Sequence, residues 1–340
     1  MTDSASLDPI VVEMLRGALV ESRHRGAVAI VDAAGRIVRS WGDIERPVYP
    51  RSAVKPLQAL PLVESGAADA YRLAGTELAL SCASHHGQPV HVEAVTRWLE
   101  RVGLGPDDLE CGAHLPSDLA SAQALIRAGT AATAVHNNCS GKHSGFLSTA
   151  KHLGEPTRGY IDAGHPVQQR VTTAMSEMTG LDLSRAPVGR DGCGIPVIGM
   201  SLHGMALGFA RLADPAGLHE ERRAAAIRLL DAMAAAPIMV DGATGLCHNV
   251  MSVAGKTVRL KGGAEGVYCA ALPGQGLGIA LKIDDGAARA AQLLMVTLLD
   301  RLGCFDTAQR TALHPFLHPI LHNVAGVEVG SLRCGPIGDL

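Results

Sequence analysis

The chain has 340 residues, 47% of them hydrophobic, enough to bury a large core without disulfides or metals to staple it. Lys and Arg number 30 against 33 Asp and Glu, a formal charge of −3, and aromatics make up 3%. With no basic excess and no base-stacking surface, nucleic acid is excluded as a partner. The start, MTDSASLDPIVVEML, is acidic and lacks a basic stretch ahead of an apolar core, so it does not read as a signal peptide.

In chain order, Val11 to Glu21 has apolar residues at helical spacing. Arg25 to Trp41 reads as a hairpin, AVAIVD and RIVRSW joined by a short Ala-Ala-Gly turn. A helix is expected to begin near Ser52, with Pro56 in its first turns and a stop at Gly66. From about Leu73 to Leu246 the pattern is helices and glycine-rich loops. Val92 to Val102, Leu119 to Arg127, Ser144 to His152, Val167 to Met178 and His219 to Ala234 carry the periodicity. Gly194 to Ala210 comes nearest to a membrane span, but its glycines, Ser201 and His203 suit a buried helix better. Lys256 to Lys261, Gly266 to Leu272 and Gly278 to Ile283 then read as short strands, followed by a helix from Gly286 to Leu302.

This order implies an α/β (α+β) protein: an antiparallel sheet of about five strands from both ends of the chain, flanked by helices. The sheet lobe takes about 1–66 and 250–340 and the helical lobe about 67–249, with a site in the cleft between them. With no secretory signal, the eight cysteines are expected to be reduced thiols of a cytoplasmic protein.

Three short motifs carry the chemistry. Ser52-Ala-Val-Lys55 is an S-x-x-K, which on a helix puts amine and hydroxyl on one face. Serine is a weak nucleophile until a base takes its proton, and a lysine whose pKa is lowered by burial or a second cation can be that base. The same four residues also fit an N-cap serine with an exposed lysine. Ser84-His85-His86 lies in a polar loop, and Lys261-Gly262-Gly263 ends a predicted strand. Together they resemble the S-x-x-K, S-x-N and K-T-G set of serine β-lactamases and penicillin-binding proteins, in the same chain order. His86 stands where that set has asparagine and Gly262 where it has a hydroxyl residue, which argues against a true β-lactamase.

Two glycine-rich loops each bear a cysteine beside other polar groups. Cys139 lies near Lys142 and His143, and Cys193 near Asp191. Two thiolates with one or two N or O ligands would make a four-coordinate zinc site. By spacing alone two buried thiols are the favoured reading, since neither loop is a C-x-x-C.

RSAVKP, SCASHHGQ, NNCSGKHSGF, GRDGCGIP and LKGGAEG together resemble the class 3, Rhizobium etli-type L-asparaginases, from about residue 10 to the C-terminus. That resemblance implies a fold similar to serine β-lactamases and glutaminases, and a homodimer. It implies Ser52 as nucleophile with Lys55 as its base, and Ser84 and Lys261 as a second pair that relays protons. It implies one zinc ion per chain held by Cys139, Lys142 and Cys193, with Asp191 beside the metal. Arg51, His143, Asp191 and Glu265 are the implied contacts to L-asparagine. A glutaminase or another serine acyl hydrolase of the same fold is the nearest alternative. A non-catalytic binding protein would be expected to have lost one of the two serines or two lysines, and all are present.

Overall fold

The structure is a computed structural model and describes residues 8–335. The expectation about a signal peptide therefore falls largely on residues 1–7, outside those described. The strands, in chain order, are β1 (Ile10–Arg16), β2 (Leu19–Asp32), β3 (Ile37–Trp41), β4 (Val188–Arg190) and β5 (Pro196–Ile198). They continue with β6 (Arg259–Gly263), β7 (Val267–Leu272), β8 (Leu277–Ile283), β9 (Ile320–His322) and β10 (Glu328–Cys334). The class is as expected: an antiparallel sheet with helices packed against it.

The sheet is larger than expected, with eight strands in place of about five. Its order is β6-β7-β8-β2-β1-β10-β9, and β3 also pairs with β2. The hairpin of β2 and β3 forms as read, but β2 starts earlier, at Leu19. Its first half pairs with β1 and its second half with β8 and β3. All six residues of β7 are buried, so both faces of the sheet are covered there. The helices Leu202–Ala213 and Ala288–Arg301 pack on the sheet and supply that cover.

Three expectations are corrected. Val11 to Glu21 is not a helix but the β1–β2 turn region. Val11 and Val12 are both fully buried, and the β1–β2 register shifts between Ile10 and Val12 and again between Met14 and Leu15. Such bulges erase the two-residue period by which a strand is recognised. Secondly, β9 and β10 lie in a stretch read as neither helix nor strand. β10 pairs with β1, a contact across the whole chain that no local pattern announces. Thirdly, the helix expected from Gly194 starts at Leu202, because Pro196–Ile198 is a strand paired with Val188–Arg190.

The remaining helices match closely: Pro89–Val102, Leu119–Arg127, Ser140–His152, Pro166–Thr179 and Glu220–Ala235. Pro89–Val102 shows why. Ala94, Val95, Trp98, Leu99 and Val102 make one buried stripe, and Gly103 ends the helix at φ +72°. Trp98 donates its Nε1–H to Ser148 Oγ at 3.0 Å, so the ring is buried with its one polar atom satisfied. Among the described residues no helix is long and apolar enough to cross a membrane.

Candidate active site

Four segments converge at one end of the sheet. The first is the turn that begins at Arg51, whose φ of +51° is unusual for a residue with a side chain. It opens a short 3-10 turn, Arg51–Val54, that runs into the helix Lys55–Gln58 with Pro56 in its first turn. β6 lies directly against this turn. A Cβ on Gly263 would sit 2.8 Å from Pro50 O and 2.9 Å from Ala53 N, so only glycine allows the approach. That contact packs β6, which carries Lys261 two residues earlier, against the turn that holds Ser52.

The second segment is the loop after the helix Gly75–Ser81. Ser84 donates its backbone N–H to Val240 O at 2.9 Å, and His85 to Asn138 O at 3.2 Å. The third is the helix Ser140–His152, with Cys139 just before it and Lys142 in its first turn. Gly141 lets it approach Leu80, since a Cβ there would fall 2.3 Å from the Leu80 carbonyl oxygen. The fourth is the β4–β5 hairpin. Its loop is closed by Asp191 N–H to Ile195 O and Gly194 N–H to Asp191 O, each 2.9 Å, and carries Asp191 and Cys193.

The polar core of the site is centred on Ser84. Its Oγ lies 3.1 Å from Lys55 Nζ and 2.9 Å from Lys261 Nζ. Lys55 also donates to Ala83 O, and its Nζ is 3.1 Å from Cys139 Sγ. Lys261 donates to Gly262 O at 2.6 Å. Lys55 and Lys261 have no solvent exposure at all. Burial drives the Lys55 pKa down to about 8; Lys142 and Lys261 push the same way, and the Cys139 charge offsets part of the effect. The Ser52 hydroxyl, by contrast, makes no hydrogen bond to another described residue, although Ser52 lines the cavity. The S-x-x-K spacing therefore brings Lys55 into the site, but its amine is bonded to Ser84.

Cys139 and Cys193 meet through a side-chain hydrogen bond. It holds the Cys139 thiol well below its usual pKa and, with burial, pushes Cys193 up. Lys142 Nζ is 3.2 Å from Cys193 Sγ. Burial opposes the Lys142 charge, but the two sulfurs and Asp191 together hold its pKa above normal. Among the described residues no three His, Cys, Asp or Glu side chains gather as a metal site. The expected zinc set relies on a lysine, and its three members, Cys139, Lys142 and Cys193, do converge. Two soft sulfurs and one amine nitrogen are donors of the kind zinc accepts once Lys142 is deprotonated.

A cavity of about 480 Å³ opens onto Ser52, Ser84, Cys139, Cys193, Arg51 and Asp191. Arg51 Nε donates to Asp191 Oδ1 at 2.8 Å, which links the two implied substrate contacts. The other two implied contacts lie elsewhere. Glu265 is exposed on the β6–β7 turn at φ +62° and is not part of the cavity wall. His143 is fully buried behind the site. Its Nδ1 is 2.8 Å from Tyr160 Oη, and its Nε2 has no partner among the described residues. The cavity also shows residues absent from the sequence reading, among them His114, Asp241 and Tyr268. No local motif marks them. Asp241 arrives because Val240, its neighbour, holds the Ser84 backbone.

The chain is similar to several solved structures. One is a β-lactamase from Mycobacterium bovis, at 17% identity and TM-score 0.38, covering 81% of this chain and 94% of that one. Another is Mglu in its tris and glutamate form, at 16% identity and TM-score 0.38, covering 88% of this chain and 64% of that one. A third is the D-alanine carboxypeptidase AmpC from Burkholderia cenocepacia, at 12% identity and TM-score 0.35, covering 80% and 93%. A comparison with curated proteins returns no match. The family model described as L-asparaginase II, however, matches residues 12–334, a span that takes in every segment of the site. The chain belongs to the L-asparaginase II family and is an asparaginase.

Proposed function

We propose that this cavity hydrolyses L-asparagine to L-aspartate and ammonia through an ester formed on Ser52. The observation that carries the reading is the pair of buried amines on one serine hydroxyl, at the wall of a cavity that a second, unbonded serine shares. A lysine with a pKa near 8 is partly neutral at pH 7 to 8 and so can accept a proton.

The substrate amide lies over Ser52. Ser52 Oγ attacks the amide carbon as its proton passes to the amine of Lys55, directly or through Ser84. The tetrahedral intermediate collapses when the leaving nitrogen takes a proton through Ser84 and Lys261, and ammonia departs. Water then attacks the β-aspartyl ester, gives its proton to the same amines, and frees aspartate and Ser52. Cys139, Lys142 and Cys193 would hold the zinc ion, which requires Cys193 and Lys142 to lose their protons. Bound there, the ion would supply Lewis-acid charge to the cavity. The homodimer belongs to this proposal as well, carried by the family resemblance.

Ammonia release from L-asparagine tests the reading, with Ser52→Ala and Ser84→Ala beside the wild type. Loss of at least about 1,000-fold in Ser52→Ala is expected, the scale seen when a serine nucleophile is removed. Near wild-type release by Ser52→Ala would refute it. The bonding of both lysines to Ser84 favours a second reading, in which Ser84 attacks. Activity retained in Ser52→Ala and abolished in Ser84→Ala would select that reading. Glutamine is one methylene longer, worth only about 1–3 kcal/mol of discrimination, so some glutaminase activity is expected.

A further inference from the structure

L-asparagine enters any such cavity as a zwitterion, and its α-ammonium needs an anionic partner. The cavity wall has two carboxylates, Asp191 and Asp241. Asp191 is already engaged. Its Oδ1 accepts from Arg51 Nε at 2.8 Å and from Gly192 N–H at 2.9 Å, and Lys142 stands nearby.

Asp241 is different. One oxygen, Oδ2, accepts the Cys247 backbone N–H at 2.7 Å, which fixes the side chain. The other, Oδ1, lies 3.9 Å from His86 Nε2, beyond hydrogen-bond range, and makes no hydrogen bond to another described residue. The side chain is 14% exposed, and what it faces is the cavity. Gly242, at φ +67°, keeps this arrangement open, because a Cβ there would lie 2.8 Å from the His86 ring. Asp241 is also tied to the reacting groups by the chain itself. It follows Val240, whose carbonyl accepts the Ser84 N–H.

We propose that Asp241 receives the α-ammonium of the substrate, with Arg51 left to face the α-carboxylate. The inference rests on the asparaginase reading of the cavity and adds the group that distinguishes an α-amino acid from a simple amide acid. Among the described residues, the one hydrogen bond made by the Arg51 side chain is that from Nε to Asp191, so its terminal N–H groups remain for a carboxylate. Two opposite charges on separate segments of one wall would hold the zwitterion at both ends and leave the amide to the serines.

The test is calorimetric and independent of turnover. L-aspartate, the product, is compared with succinate, the same skeleton without the ammonium, on the wild type, Asp241→Asn and Asp241→Ser. Asparagine in place of Asp241 keeps the acceptor for Cys247 N–H and the size, and serine keeps an acceptor, so the local fold has two routes to survive. The wild type is expected to prefer L-aspartate. In both variants that preference should fall about 10- to 100-fold, the range for a hydrogen bond to a charged group. A preference unchanged in the variants, even with both ligands weakened together, would overturn the proposal and leave Asp241 as a prop for the Cys247 helix. A wild type that binds both alike, or neither, would overturn it as well. Failure of ammonia release with the ligand preference intact would instead strike the asparaginase reading.

Discussion

At the scale of single residues, the site is a problem of charge in a dry place. Three lysines, Lys55, Lys142 and Lys261, are almost fully buried within one cluster. Each would be costly alone, and each is bonded to serine, sulfur or carbonyl groups that repay part of the cost. The Cys139 sulfur matters because, with its pKa held well below normal, it places negative charge among the amines. We expect Cys139→Ser and Cys193→Ser each to lose zinc, read by metal analysis of dialysed protein. Full metal content in both variants would mean that the cysteines only pack. Much of this cluster was legible from the five motifs taken together as a family resemblance, whereas the spacing of any one motif fits a capping serine or a buried thiol as well or better. The bonding within the cluster was not legible. Lys55 lies three residues from Ser52, yet its amine reaches Ser84, since the first turn is 3-10 and Ala83 and Cys139 supply further partners. Asp241 left no trace, because its place depends on a bond between segments far apart in the chain.

At the scale of elements, close backbone approaches decide which residues can meet. The helix Leu202–Ala213 lies so near β8 that a Cβ on Gly278 would fall 1.9 Å from Ala206 O and 2.3 Å from Ala210 N. No rotamer relieves a clash between backbone atoms. Gly278→Ala should therefore destabilise by about 3 kcal/mol or more, at or above the upper end of overpacking costs, as a lowered urea midpoint. An unchanged midpoint would show that the helix can shift freely. The same logic explains the readable and unreadable elements. Pro89–Val102 carries its own stripe, cap and stop. β1 does not, since bulges in its pairing with β2 break its period and its other partner, β10, comes from the far end of the chain.

At the scale of the molecule, buried histidines link stability to pH. His85 and His91 stack with ring centroids 4.9 Å apart. Burial lowers both pKa values below the usual 6.5; His91 adds to the effect on His85, and His86 adds to the effect on His91. The folded protein thus binds fewer protons there than the unfolded chain. Their contribution is fully present above pH 6.5 and is lost as pH falls below it. The slope is up to ~1.4 kcal/mol per pH unit for each proton. The urea midpoint should accordingly hold between pH 7 and 8 and drop by pH 5, with a smaller drop in His91→Gln. Equal midpoints at pH 7.5 and 5 would contradict this. The overall class was legible from strands at both ends and helices between, but the eight-stranded width was not, because three of the strands pair through bulges or across distant segments.

The most direct test of the central claim is to catch the ester. Enzyme turning over L-asparagine is quenched in acid, digested, and mapped by mass spectrometry. The account predicts an added aspartyl group on the peptide that holds Ser52, absent from Ser52→Ala. The same group found on Ser84 instead, or no adduct from a fully active enzyme under conditions that preserve esters, would contradict it.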